Sequence, residues 1–188
     1  MTFKNIVKKY WKDFEVIAFN LVKKELPQES IVSETLTQSI KDGGYDGEFL
    51  LSSDGNSIVK VLFEAKLRSD YNGSLPLQDF AKAIIISIVR QIDIIYIVTN
   101  IHFSENTVQI LEDYSNFVPL GIKLANGLTV KKFLLSEEWS KDIIGQEFFD
   151  FLVNNNNVKF EQNIGGCPAC AVVLFFILLS PLHYGHSL

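Results

Sequence analysis

Asp46 stands within Gly43-Gly44-Tyr45-Asp46-Gly47, and eighteen residues after it the chain reads Glu64-Ala65-Lys66. An acid on a glycine-rich turn, then an acid and a lysine two apart on a strand, suits the holding of a divalent metal beside a scissile phosphate. Alternate residues of a strand share a face. Glu64 and Lys66 are therefore expected to project together, while Val61, Phe63 and Ala65 turn the other way into a core. The Tyr45-Asp46-Gly47 segment would set a second carboxylate against that pair if it runs alongside. Two carboxylates supply hard oxygen ligands for Mg²⁺. The lysine supplies a positive charge to orient an attacking water or to offset charge building on the phosphate. Acid-x-Lys on a half-exposed strand is also ordinary surface chemistry. Two features favour a site: Leu62 and Phe63 put the pair at the end of a buried strand, and the glycines around Asp46 mark a backbone that turns or approaches something closely.

The elements that must position these residues follow from apolar spacing. Phe3, Ile6, Val7, Tyr10, Trp11, Phe14, Ile17, Ala18, Leu21 and Val22 recur at three and four, predicting an amphipathic first helix. Glu15 lies close to that apolar stripe, where an unpaired carboxylate is costly. It reads either as a boundary residue reaching solvent or as a carboxylate aimed at the metal site. Strands are expected over 33–40, 47–52 and 57–67, with a hairpin turn at Ser53-Asp54-Gly55-Asn56. Leu77, Phe80, Ile84 and Ile88 predict a helix, and Gln91–Val98, nearly all apolar, a buried strand. Ser104 suits a helix cap, 118–125 a further strand, Asn126-Gly127 a turn and Leu128–Leu135 a short helix. Trp139, Ile143 and Phe149–Phe151 mark a last helix. The order αβββαβ, then αβα, describes an α/β fold with a central mixed sheet flanked by helices.

Gly43-Gly44-Tyr45-Asp46-Gly47 with Glu64-Ala65-Lys66 resembles the PD-(D/E)xK nuclease superfamily, and within it the Mrr-type restriction endonuclease branch. Ile94–Asn100 followed by Phe103-Ser104 is similar to that branch's strand ending in a Thr-Asn turn before a helix. Leu124–Leu128 resembles its closing strand, turn and helix. The likeness covers roughly residues 3 to 135; Tyr45 departs from it by standing where the superfamily's name places proline. The resemblance implies a restriction-endonuclease-like core and Asp46, Glu64 and Lys66 as catalytic residues. Asp46 and Glu64 would be metal ligands, with Glu15 as a weaker one because the corresponding helix in the family often carries such a glutamate. It further implies Mg²⁺, with Mn²⁺ able to substitute, and DNA as the substrate. Gln78, at the start of the helix after the catalytic strand, and Arg68 and Lys60 are the candidate supporting or substrate-contacting residues. Gln78 and Asp79 are equally ordinary first-turn residues.

Composition agrees with a globular chain: 188 residues, 47% hydrophobic and 21% charged. The net charge of −5 is unevenly spread. Residues 1–90 hold twelve basic and twelve acidic side chains, residues 91–163 five and ten, and residues 164–188 none. The acidic excess thus lies away from the motif, and Lys60, Lys66, Arg68, Lys82 and Arg90 cluster around it in sequence, enough for a local phosphate-contacting patch. Residues 1–153 are expected to form the nuclease domain. Residues 154–188 read as a polar linker and an uncharged apolar segment of unassigned role. Cys167 and Cys170 with His183 and His186 approximate a zinc spacing, but the histidines stand one residue too close and the intervening run is uniformly apolar. That run of about ten residues is too short to span a bilayer. With two cysteines and no secretory leader, reduced thiols in the cytoplasm are expected.

The expected function is metal-dependent hydrolysis of DNA phosphodiester bonds in defence against foreign DNA. It would be carried out by a homo-oligomer or by part of a longer protein. Two rivals stand beside it. One is a catalytically silent module that binds nucleic acid or a protein partner. The other is a nuclease acting on RNA or branched DNA.

Overall fold

The three-and-four spacing of the N-terminal apolar residues produces helix α1 (Phe3–Glu25), which buries Ile6, Tyr10, Phe14, Ile17, Ala18, Leu21 and Val22 on one side. Lys23 and Lys24 occupy its last turn, where cations complement the helix dipole, and Pro27 follows to stop it. Three strands come next: β1 (Ile31–Leu36), β2 (Gly47–Ser53) and β3 (Ser57–Lys66). The computed structural model describes residues 3–37, 44–53, 57–70, 72–137 and 140–154. The expected turn at 54–56, the further extent of β1 toward residue 40, Trp139 and the segment 155–188 with its cysteines and histidines fall outside them.

After β3 come the two-residue β4 (Ser74–Leu75), helix α2 (Ala81–Val89), β5 (Ile94–Thr99) and the two-residue β6 (His102–Phe103). Helix α3 (Glu105–Ser115), β7 (Gly121–Ala125), α4 (Gly127–Ser136), α5 (Ser140–Ile144) and α6 (Gln146–Asn154) complete the described chain. The main sheet has the order β1-β2-β3-β5-β7. β1, β2 and β3 pair antiparallel, and β3, β5 and β7 pair parallel. β4 and β6 form a separate small ladder. This is the mixed α/β arrangement expected from the order of elements.

Residue alternation divides the core into two layers. Val61 and Phe63 of β3, with Ile94, Tyr96 and Val98 of β5, pack under α1, α4 and α6. Leu62, Ile95 and Ile97 face the other way, against α2 and α3. β5 is buried along its whole length, which is why its sequence is nearly all apolar. Glu64 and Lys66 share the parity of Leu62 but stand beyond it, at the C-terminal end of β3. In sheets with parallel strands this end is where ligands settle.

Several boundaries differ from the expectation. Residues 77–79 form a single 3₁₀ turn and α2 starts only at Ala81, because Phe80, at φ −134°, leaves helical geometry between them. Asn126 does not turn the chain back. Its carboxamide oxygen accepts from Leu128 and Thr129 N–H, both at 3.1 Å, and caps α4. The last helix is two, broken at Gly145 with φ +78°. Asn154, expected as the start of a linker, is the final residue of α6. Phe148, Phe151 and Leu152 are buried, and the Phe148 ring stacks on Tyr10 with centroids 4.6 Å apart. Among the described residues no helix is long and apolar enough to cross a membrane.

Candidate active site

Asp46 is held by its own backbone and its own carboxylate. Its N–H donates to Phe63 O (2.9 Å), and its carbonyl accepts from Thr37 N–H (2.8 Å), so the residue bridges β1 and β3 just before β2 begins. The Thr37 hydroxyl donates to Tyr45 O at 3.0 Å. The Asp46 side chain then turns onto β3, where Oδ2 accepts the Ala65 N–H at 2.6 Å. That bond holds the carboxylate between Glu64 and Lys66. Gly44 reaches the turn with φ +89°, a conformation suited to glycine. Gly47 is required for a different reason. A Cβ there would lie 2.3 Å from Phe63 Cε1 and 2.7 Å from Thr35 O. Tyr45, in the place the superfamily's name gives to proline, receives a hydrogen bond on its hydroxyl from Arg90. Its ring centroid lies 5.0 Å from that guanidinium.

Glu64 is buried and Lys66 half-buried, and the Lys66 ammonium donates to Glu64 Oε1. Glu64 Oε2 is also buried and accepts no hydrogen bond from any described residue. A carboxylate oxygen shielded from water with no donor is costly unless a cation or a proton answers it. The end of β3 is anchored by the Thr-Asn turn that follows β5. The Thr99 hydroxyl donates to Lys66 O at 2.8 Å. The fully buried Asn100 carboxamide accepts from Arg68 N–H (2.7 Å) and donates to Arg68 O (2.8 Å), prolonging the ladder with a side chain where backbone pairing stops.

Glu15 is buried on α1 and feels the charges of the cluster. Burial, then repulsion from Asp46 and Glu64, pushes its carboxyl up to about 7. Glu64 is pushed up to about 7 by burial and then by Asp46, against the pull of Lys66 and Lys82. Burial raises Asp46 as well, opposed by the Ala65 N–H and by Lys66. Three acids thus share one low-dielectric end of the sheet with a single directly bonded cation, and the Asp46 charge makes ionisation of both glutamates harder. Among the described residues no three His, Cys, Asp or Glu side chains converge into a ready ligand cluster. Asp46 and Glu64 nevertheless fit a hard divalent cation: the donors are carboxylate oxygens, and one of them is buried without a hydrogen bond.

The remaining candidates are spread more widely. Arg68 follows β3 and pairs with Asp79. Gln78 is exposed on the 3₁₀ turn. Lys60 lies on the same strand four residues before Glu64, about 13 Å away along β3. Its backbone, not its ammonium, is engaged, with Asp93 Oδ2 at 2.7 Å. Thr99 and Asn100 matter more to the site than turn roles suggest. Two consecutive polar residues closing an apolar strand were the signal.

A model of the restriction endonuclease family, that of the Mrr catalytic domain, matches residues 6–134. No curated protein sequence matches the chain. Among solved structures, MspJI restriction endonuclease in complex with a 27-mer oligonucleotide superposes with a TM-score of 0.54 at 21% identity, over 81% of this chain and 34% of that one. The DNA modification-dependent restriction endonuclease AspBHI gives 0.53 at 20% identity, over 80% of this chain and 38% of that one. The fold is shared with both, and the chain spans little more than a third of their lengths.

Proposed function

Because the chain belongs to the restriction endonuclease family of the Mrr catalytic type, we propose that it hydrolyses phosphodiester bonds of DNA with a divalent metal, Mg²⁺ or Mn²⁺, in defence against foreign DNA. The observation that carries this reading is the meeting of Asp46, Glu64 and Lys66 at the end of β3, with one Glu64 oxygen buried and lacking a donor.

Asp46 and Glu64 would hold the metal, with Glu15 adding negative charge behind them. When bound, such an ion supplies Lewis acidity and makes a coordinated water more acidic. The chain's own groups do the rest. The Ala65 N–H fixes the Asp46 carboxylate before substrate arrives, so its orientation costs nothing at the moment of reaction. Lys66 carries three N–H donors. One is given to Glu64, leaving others to orient a water or to meet a phosphate oxygen as its charge builds. The Thr99 and Asn100 bonds keep that lysine's strand from fraying. With three carboxylates around one lysine the bare site repels a phosphodiester, so substrate and cation are expected to enter together.

The test uses end-labelled duplex DNA, duplex RNA and a four-way DNA junction, each with Mg²⁺ and with EDTA. Cleavage of duplex DNA that EDTA stops is expected. Binding without cleavage under every metal would favour the silent module, and selective cutting of RNA or of the junction would replace the substrate.

A further inference from the structure

Among the described residues beside the motif turn, Lys82 is a cation that the site's own pairing leaves free. Lys66 is bonded to Glu64, Arg68 to Asp79 and Arg90 to Tyr45. Lys82 lies in the first turn of α2, exposed, and makes no hydrogen bond or ion pair with any described residue. Its position is nevertheless defined. A Cβ built on Gly44 would lie 3.0 Å from Lys82 Cε and 3.1 Å from its Cδ, so the aliphatic stem crosses the glycine-rich turn that presents Asp46. The bare Cα of Gly44 is what lets the stem pass. One helical turn on, Ile86 packs on the same glycine, with Cδ1 3.1 Å from that Cβ position, and a turn further Arg90 clasps Tyr45. Lys82 and Ile86 of α2, with Arg90 capping it, therefore cover the described part of the motif turn, and Lys82 keeps a charge that no described residue pairs with.

Resting on the nuclease reading above, we propose that Lys82 is a substrate-positioning residue that binds a backbone phosphate of the strand to be cut. The stem lies on Gly44 and the ammonium pairs with no described carboxylate, which leaves it able to meet an incoming anion. Lysine suits this role as a mobile point charge, in contrast to the fixed fork of Arg68 and Arg90. The contact is to phosphate and therefore indifferent to base sequence.

The test compares the wild-type chain with Lys82→Gln, Lys82→Arg and, as a control for net charge, Lys132→Gln on the opposite side of the sheet. DNA binding is followed against salt in EDTA, and steady-state cleavage in Mg²⁺. Lys82→Gln is expected to flatten the slope of log affinity against log salt by about 1. It should raise KM roughly five- to tenfold with kcat within about twofold, as loss of one charge-assisted phosphate contact would do. Lys82→Arg, which keeps the charge that Glu64 feels, should leave half-saturating Mg²⁺ and the thermal midpoint unmoved. Lys82→Arg should restore most of the binding, and Lys132→Gln should match wild type. A Lys82→Gln chain with unchanged salt slope and KM, while the wild type cuts DNA, would overturn the assignment and leave the nuclease reading intact. A loss confined to kcat would also overturn it, by making Lys82 part of the chemistry. A wild-type chain that neither binds nor cuts DNA would remove both readings.

Discussion

Glu64→Gln should make the metal-free protein more stable while abolishing its activity. Burial and the Asp46 charge hold the Glu64 carboxyl at about 7, against an ordinary 4.5. The native state therefore binds that proton more tightly than the unfolded chain does. Folding stability falls as pH rises from about 4.5 toward 7, and the cost is fully present above that range. A gap of this size corresponds to about 3 kcal/mol. Glu15 and Asp46 share the repulsion, so a single neutralisation relieves it incompletely, and about 2 kcal/mol is the expected gain at pH 8 in EDTA. For a domain of this size that is roughly 4–8 °C in Tm. At pH 5 the wild-type residue is mostly protonated, and the difference should shrink toward zero. Mg²⁺ should raise the Tm of the wild type and leave the variant unmoved, because only the wild type keeps both ligands. Thermal denaturation followed by circular dichroism at both pH values, in EDTA and in Mg²⁺, reads all four conditions. A variant less stable than wild type at pH 8 in EDTA, or equally stabilised at pH 5, would show that the buried Glu64 charge does not destabilise the fold.

Gly47→Ala should destabilise by about 1–3 kcal/mol, because the new methyl meets the Phe63 ring and the Thr35 carbonyl. Urea denaturation measures this, and cleavage should fall with it as Asp46 shifts. Asn100→Ala leaves the Arg68 N–H and C=O without their partner and should cost about 2 kcal/mol. Its cleavage rate, measured where the variant is fully folded, should drop because Lys66 loses its anchored strand. Ending the chain after Asn157 should leave the core thermal transition in place, since the buried residues of α6 are retained. The truncation should also lower self-association in light scattering, as expected if the uncharged apolar segment 164–188 packs between chains.

What was legible in the sequence, and what was not, follows from the range of the forces involved. Alternation along β3 is a local property of the backbone, and the separation of Phe63 from Glu64 and Lys66 could be read directly from it. So could the buried β5 and the cap at Ser104, whose hydroxyl accepts the Thr107 N–H at 3.1 Å. Boundaries were less legible where a single side-chain bond decides them, as at Asn126, which can turn a chain or cap a helix equally well. The site's second tier was hidden for another reason. That the Ala65 N–H binds Asp46, that Asn100 pairs with Arg68 and that Lys82 lies over Gly44 depend on contacts between residues nineteen to thirty-eight positions apart. No periodicity announces such contacts. Glu15 lies between these cases: its awkward place on an apolar stripe was visible, but the carboxylates that push its own carboxyl up come from two other segments.

The central claim is that Asp46, Glu64 and Lys66 act as one metal-dependent phosphodiester-cleaving unit. Its most direct test is supercoiled plasmid incubated with Mg²⁺ and the wild-type chain, Asp46→Ala, Glu64→Gln or Lys66→Ala, each beside an EDTA control and each confirmed folded by circular dichroism. The wild type should cut and EDTA should stop it, while every variant fails to cut at any Mg²⁺ concentration. Full cleavage by any one of the variants, or wild-type cleavage that persists in EDTA, would contradict the claim.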